Sequence, residues 1–220
     1  MPSPPASSES HYSADAIAAA LRSDIWHGRL RSGEPLRQDE IASRYGVSKI
    51  PVREALYQLK AEGLVTFYPN RGAVVSELSA AEVDEIYAMR AALETTALQR
   101  AIPRLTIADL RRAEEILSTL DQEKNVARWS ELNWEFHAVL YNPANMPRLM
   151  EWVKTLHFNV SRYLIIYLAG MDYQHQSQSE HRQILAACRN GEISLAVNLL
   201  QQHLQSASKH LTTFLKELAD

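Results

Sequence analysis

Cysteine is nearly missing from this chain. Cys188 is the only one in 220 residues, so no disulfide can form within it, and a reducing cytoplasm is the simplest home. No apolar run is long enough to cross a bilayer, so a membrane is not expected as a partner. The opening "MPSPPASSES" has no basic stretch followed by an apolar one. It does not read as a secretory signal, and residues 1–12 are expected to form a disordered tail. No His-Glu-x-x-His motif and no nucleophile elbow occur, which leaves a metal-dependent hydrolase without support. No internal repeat is present. The net charge of −3 argues against a protein that coats nucleic acid non-specifically.

Charge is nevertheless uneven. Residues 14–76 hold nine Lys/Arg against seven Asp/Glu, while the rest holds fourteen against nineteen. Two parts with different partners are the simplest reading. Only seven glycines occur, and several act as helix stops. A first helix follows Ser13 and stops at Gly28, with Ile17, Leu21 and Ile25 on one face. Gly33 and Pro35 then keep the chain extended or looped. A short helix at about 39–45 ends at Gly46, and Ser48 caps the next, which runs to about Glu62 before Gly63. Pro51 falls in the first turn of that helix, where it breaks no helical hydrogen bond. Two short helices across a tight glycine turn make a helix-turn-helix. "LVTFYPNRGAVV" then reads as two strands around a turn, which is a wing with Arg71 at its tip.

The inward stripe of the second helix is Val52, Leu56 and Leu59, whereas Lys49, Arg53 and Tyr57 share another face. Arg and Lys there are suited to guanine edges or phosphates, and a helix N-terminus favours an anion. Ile50 and Pro51 offer apolar contact to thymine methyls or sugars, and Arg71 suits the minor groove. The stretch from Asp24 to Val75 resembles the N-terminal domain of GntR-type bacterial transcription regulators. Gly33-Glu34-Pro35-Leu36, Gly46-Val47-Ser48, Pro51 to Leu56, Glu62-Gly63-Leu64-Val65 and Asn70-Arg71-Gly72 carry the resemblance. It implies that Ser48, Lys49, Arg53, Arg71 and Gly72 touch operator DNA. Lys49 stands where arginine is usual, which keeps the charge but loses the flat bidentate fork.

Beyond residue 79 the sequence reads as helical throughout, with no convincing strand after Val75. Ser79-Ala80-Ala81-Glu82 is a capping box. Five further helices are expected at about 106–120, 125–141, 147–169, 179–190 and 193–218. In "WSELNWEFHAVL", Asn133 and His137 lie four apart, on the same side as Trp129, Leu132, Phe136 and Leu140. His181 lies on a stripe with Ile184, Leu185 and Cys188. His203 lies among Leu199, Leu200, Leu204 and Ala207. Three helices thus each aim an imidazole inward. Each needs a partner if buried, and a shared metal would satisfy all three. The spacing is not that of a compact zinc motif, so residue pattern alone leaves core histidines and metal ligands both open. Asp84, Glu85 and Glu94 read as a solvated face, and His157 has no motif. Tyr163, Tyr167 and Tyr173 read as core, with pocket lining as the alternative.

This C-terminal part resembles the all-helical ligand-binding domain, often called FCD, of the FadR subgroup. "SEHRQILAACRNGEISLAVNLLQQHL" carries the pattern. The resemblance implies a metal held by Asn133, His137, His181 and His203, with zinc favoured and nickel, iron or manganese as alternatives. Asn133 stands where aspartate is commoner, so it brings an oxygen but no charge. Arg90, in "YAMRAALETTAL", matches an arginine that faces an effector pocket. The expected fold is mainly α: a winged helix-turn-helix of three helices plus a β-hairpin wing at 13–76, a linker at 77–79, and an all-helical antiparallel bundle at 80–220. The expected protein is a homodimeric, metabolite-responsive regulator and a repressor. It would bind double-stranded operator DNA and a small carboxylate, with no enzymatic activity. The alternatives are a regulator that answers to metal alone and a metal-dependent hydrolase joined to a DNA-binding module.

Overall fold

A computed structural model describes residues 12–168 and 173–217. The chain divides into two compact units, Met1–Glu77 and Leu78–Asp220. Of the expected tail, only residue 12 is among the described residues, and the Tyr12 ring stands edge-on to Tyr45 at 5.2 Å.

The first unit contains α1 (Ala14–Trp26), α2 (Gln38–Tyr45) and α3 (Lys49–Ala61). Ser13 caps α1 by accepting a hydrogen bond from the Ala16 amide, which satisfies an otherwise orphaned donor. Gly46 ends α2 with φ of 65°, a conformation that costs glycine little. Ser48 is the N-cap of α3, and Pro51 sits in its first turn. Ile17, Leu21 and Ile25 of α1 share one buried cluster with Val52, Leu56 and Leu59 of α3. Each such side chain contributes about 1.5–3 kcal/mol on burial. That cluster is what leaves the opposite side of α3 free to face outward.

Three short strands complete the unit: β1 (Pro35–Leu36), β2 (Val65–Tyr68) and β3 (Gly72–Val75), antiparallel in the order β1-β3-β2. The wing is the β2–β3 hairpin, with Val65 opposite Val75 and Tyr68 opposite Gly72. The sequence suggested loop or extended chain at Pro35, and the structure adds it to the sheet opposite Val74. A two-residue strand is too short to show alternation, and its edge position tolerates a proline.

The second unit is an all-helical bundle: α4 (Ala80–Ala101), α5 (Ile107–Leu120), α6 (Val126–Tyr141), α7 (Pro147–Leu168), α8 (Tyr173–Arg189) and α9 (Ile193–Glu217). Capping boxes open α4 at Ser79/Glu82 and α5 at Thr106/Asp109. Pro103 and Pro143 lie in single 3-10 turns that follow α4 and α6, where a missing amide is harmless. The long α4 packs along α9 and α7, α6 lies between α5 and α7, and α8 joins α9 and α5. One apolar core runs through them, from Val83 and Leu98 to Phe136, Val160, Ile184 and Leu211. Cys188 is within it, and burial pushes its thiol up to about 12, far from a reactive range.

Two expectations need correction. Helix α8 starts at Tyr173, ahead of the expected Ser179, because its polar first turns, "YQHQSQ", carry no apolar stripe to read. Glu94 is not on a solvated face. It is 1% exposed and paired with Arg90 on the next turn. Tyr163 is buried, while the side chains of Tyr167 and Tyr173 lie outside those described. Among the described residues no helix is long and apolar enough to cross a membrane.

Candidate metal centre and nucleic-acid interface

Helices α6, α8 and α9 bring His137, His181 and His203 together. All three are buried, and their ligating nitrogens lie within 4.8 Å of one another. The rings contact each other, with centroids 5.0 Å apart for His137–His181, 5.5 Å for His137–His203 and 4.7 Å for His181–His203. Nitrogens about 2.1 Å from a common ion stand roughly 3.4 Å apart in tetrahedral geometry, so a small inward movement closes the site. The Nε2 atoms of His137 and His181 and the Oδ1 of Asn133 are buried with no hydrogen-bond partner among the described residues. Buried polar atoms are normally satisfied, so these orphans call for a ligand.

The outer partners fix which nitrogen carries each proton. His203 Nδ1 lies 2.7 Å from Glu180 Oε2, and a carboxylate only accepts. His181 Nδ1 lies 3.1 Å from Gln178 Oε1. The Gln178 amide is held in that orientation because its nitrogen donates to the Leu117 carbonyl and to Asp121 Oδ1. His137 Nδ1 lies 3.1 Å from the Tyr141 hydroxyl, which itself donates to Glu94 Oε2 at 2.8 Å. Its one proton is thus directed at Glu94, and its oxygen accepts from His137. In all three histidines a proton belongs on Nδ1, which leaves Nε2 as the nitrogen that can offer a lone pair. This is the tautomer a metal requires, oriented by outer hydrogen bonds as metal-bound histidines usually are.

Protonation reinforces the assignment. Burial, and then the neighbouring imidazoles, hold the pKa of His137 well below the usual histidine range, and burial with His203 does the same for His181. Both are neutral near pH 7 and available as ligands. The donor set of three imidazoles fits a divalent transition ion. The three histidines form a cluster able to coordinate one.

Arg90 is 3% exposed. Its Nε donates to Glu94 Oε1 at 2.7 Å, its Nη2 lies 3.3 Å from His157 Nδ1, and it stacks 4.8 Å from the Tyr87 ring centre. Glu94 is therefore a shared acceptor, with Arg90 on one oxygen and Tyr141 on the other. His157 is 2% exposed and packs on Trp134 at 5.2 Å. Sequence inspection missed Glu94, Tyr141 and Gln178 as supports of the site. Each lies three or four residues from a singled-out residue on the same helix (Arg90, His137 and His181), and that spacing was the available signal. Glu180 supports His203 across helices, and no local spacing reveals that.

In the first unit, Lys49, Ile50 and Arg53 are exposed at the start of α3, and Pro51 is half-buried. Ser48 makes no side-chain capping bond, so its hydroxyl is not committed to a backbone amide of its own helix. Lys49 pairs with Asp39 at 2.5 Å, and Arg53 leans over the Tyr57 ring at 5.7 Å. Both cations face solvent, where an ion pair is weak and exchangeable. Arg71 is exposed at the wing turn between Asn70, with φ of 64°, and Gly72, with φ of 72°.

Comparisons with known proteins agree with this arrangement. The model for bacterial regulatory proteins of the gntR family matches residues 13–75. The FCD domain model matches residues 85–206. The chain is 28% identical over 212 residues to the HTH-type transcriptional repressor RspR of Escherichia coli strain K12, covering 93% of this chain and 91% of that protein. It is 29% identical over 195 residues to the repressor GlaR of the same organism, covering 84% and 89%. A crystal structure of a GntR-family transcriptional regulator from Pseudomonas syringae pv. tomato DC3000 is 35% identical, with a TM-score of 0.61 over 98% of this chain and 90% of that one. Escherichia coli McbR/YncC shares the fold at 24% identity and a TM-score of 0.77, covering 94% and 98%. The first three of these are named as transcription regulators, and the chain belongs to the GntR family of DNA-binding transcription regulators, with an FCD-type C-terminal domain.

Proposed function

We propose that this regulator is a cytoplasmic, homodimeric repressor of the FadR subgroup whose FCD domain binds a divalent metal, zinc by preference, and a small carboxylate effector. The observation that carries the reading is the set of three buried imidazole nitrogens within 4.8 Å of one another, with the Nε2 atoms of His137 and His181 lacking a partner among the described residues. Asn133 supplies a weak fourth ligand through its oxygen. The ligands bring no charge, and an uncompensated dication in an apolar interior is costly. Glu180, on His203, offsets part of that charge. An effector carboxylate on the open coordination positions would offset more, with the buried cation of Arg90 behind it. The two curated relatives named repressors support the sign of the regulation.

The DNA contacts proposed are Ser48, Lys49, Ile50, Pro51 and Arg53 from the start of α3, and Arg71 and Gly72 from the wing. Two winged helices paired by the helical domains would read a two-fold symmetric operator, the common arrangement for such motifs. Effector binding would alter their spacing only if the effector prefers one arrangement of the helices.

The test uses the full chain. Elemental analysis of the purified protein is expected to find one divalent ion per chain, with His137→Ala and His181→Ala each losing it. Operator binding is then measured with the metal alone and with a panel of small carboxylates added. Full metal content in both variants would make these histidines ordinary core residues. A response to metal with none to any carboxylate would favour a metal sensor.

A further inference from the structure

His157 differs from the other three buried histidines in one decisive respect. Its Nδ1 faces Arg90 Nη2 at 3.3 Å, and a guanidinium only donates. Its Nδ1 must therefore carry the lone pair. Burial, followed by the nearby Arg90 charge, holds its pKa well below the usual range, so the ring is neutral. One proton remains, and it sits on Nε2. That Nε2 is buried and has no partner among the described residues. His157 also lies close enough to His203 for that ring to disfavour protonation of His157. The interior thus holds three imidazoles with a lone pair at Nε2 and one with a hydrogen there. The first kind binds a cation. The second cannot ligate a metal in this tautomer, but it donates to an oxygen.

We infer that His157 is the residue that recognises the effector directly, its Nε2–H donating to an oxygen of a carboxylate that binds the metal through another oxygen. This rests on the metal-and-carboxylate reading above and names the contact that selects the ligand. Arg90 then has an indirect part. Its charge is already matched by Glu94, and it acts by fixing the tautomer of His157. The ligand class is a small anion with at least two oxygens, one for the metal and one for the imidazole. A purely apolar molecule would leave Nε2–H unsatisfied, and a cation would face a donor.

The experiment uses the zinc-loaded full chain and isothermal calorimetry with acetate, malonate and citrate. His157→Phe keeps the ring against Trp134 and removes both nitrogens. His157→Gln keeps a donor near the place of Nε2. Wild type is expected to bind at least one of the three anions. His157→Phe should weaken that anion about ten- to hundredfold, the loss of a hydrogen bond to a charged group, with zinc content unchanged. His157→Gln should recover part of the loss. Unchanged anion affinity in His157→Phe would overturn the inference and leave the metal-and-carboxylate reading standing, with His157 bonded to buried water only. Loss of zinc in that variant would place His157 at the metal and overturn it too. Failure of wild type to bind any of the three would remove the carboxylate reading itself and this inference with it. A measurement without variants covers the case of misfolding. In nitrogen-15 spectra of the wild-type histidines, His157 should show a protonated Nε2 whose signal shifts when the anion is added. A protonated Nδ1 on His157, or no shift, overturns the inference.

Discussion

Replacing Glu94 with glutamine should damage both the fold of the second unit and its candidate metal centre. Glu94 is the meeting point of two hydrogen bonds, from Arg90 Nε at 2.7 Å and from the Tyr141 hydroxyl at 2.8 Å. Arg90 and Glu94 are both almost fully buried. Burial alone would lower the Arg90 pKa, yet the Glu94 carboxylate raises it above its ordinary value, so the pair outweighs desolvation. Glutamine preserves shape and one acceptor but removes the negative charge. Breaking a buried pair from one side costs about 3–5 kcal/mol, and the retained amide oxygen argues for the lower end. Urea unfolding of the metal-free full chain, followed by tryptophan emission, reads this directly. Three of the four tryptophans, Trp129, Trp134 and Trp152, belong to the second unit. A companion variant, Arg90→Met with Glu94→Leu, removes both charges and should lose less than Glu94→Gln alone, because no stranded charge remains. Glu94→Gln should also free the Tyr141 hydroxyl to turn, so His137 no longer has a fixed acceptor, and metal affinity falls about 10–100-fold. A stability loss under about 1 kcal/mol, the level of an exposed ion pair, would refute the claim that Glu94 holds a buried charge.

Three other outcomes are expected. Arg53→Ala should weaken specific operator binding by about 1–3 kcal/mol in a salt-matched titration, with an unchanged melting temperature, and wild-type affinity would refute its place at the interface. Glu180→Gln should lower metal affinity about 10–100-fold in a chelator competition while the helical content stays, since Glu180 is only half-buried; equal affinity would show that its charge does not reach the ion. The metal-free protein should lose stability as pH falls below about 6.5, the ordinary histidine value, because the unfolded chain then takes up protons that the folded His137, His157 and His181 refuse. Stability rises with pH wherever the unfolded state binds more protons, so melting temperature should climb from pH 5 to pH 7, and a flat profile would contradict the buried neutral assignment.

The elements with strong punctuation were legible in the sequence. Ser13, Gly46, Ser79 and Thr106 each mark a helix end by a hydrogen bond or a backbone conformation that few other residues supply, and the structure places the ends there. His137, His181 and His203 were legible as inward residues because each shares an apolar stripe. The start of α8 was not, since a polar turn can be helical without an amphipathic signature. Glu94 was read with Asp84 and Glu85 as a surface charge because clusters of charge are usually solvated; those two are exposed, and only the fold shows that Glu94 is buried against Arg90. The tautomers lay beyond sequence altogether. They depend on which atom of Gln178, Tyr141, Glu180 or Arg90 faces each ring.

The candidate metal centre answers the scarcity of cysteine. His137, His181 and His203 come from three different helices, and an ion held by all three ties positions 137 and 203 into a closed loop of chain. This is the topological job of a disulfide, which a chain with one cysteine cannot perform. Constraining a loop of that length removes freedom mainly from the unfolded chain. Unlike a sulfur–sulfur bond, this clasp opens to acid or to a chelator rather than to a reductant. The same helices would then be firmly pinned in one chemical setting and independently mobile in another, with no change in covalent structure. Amide exchange along α6, α8 and α9 would slow together when the ion is present, although the three segments are far apart in sequence.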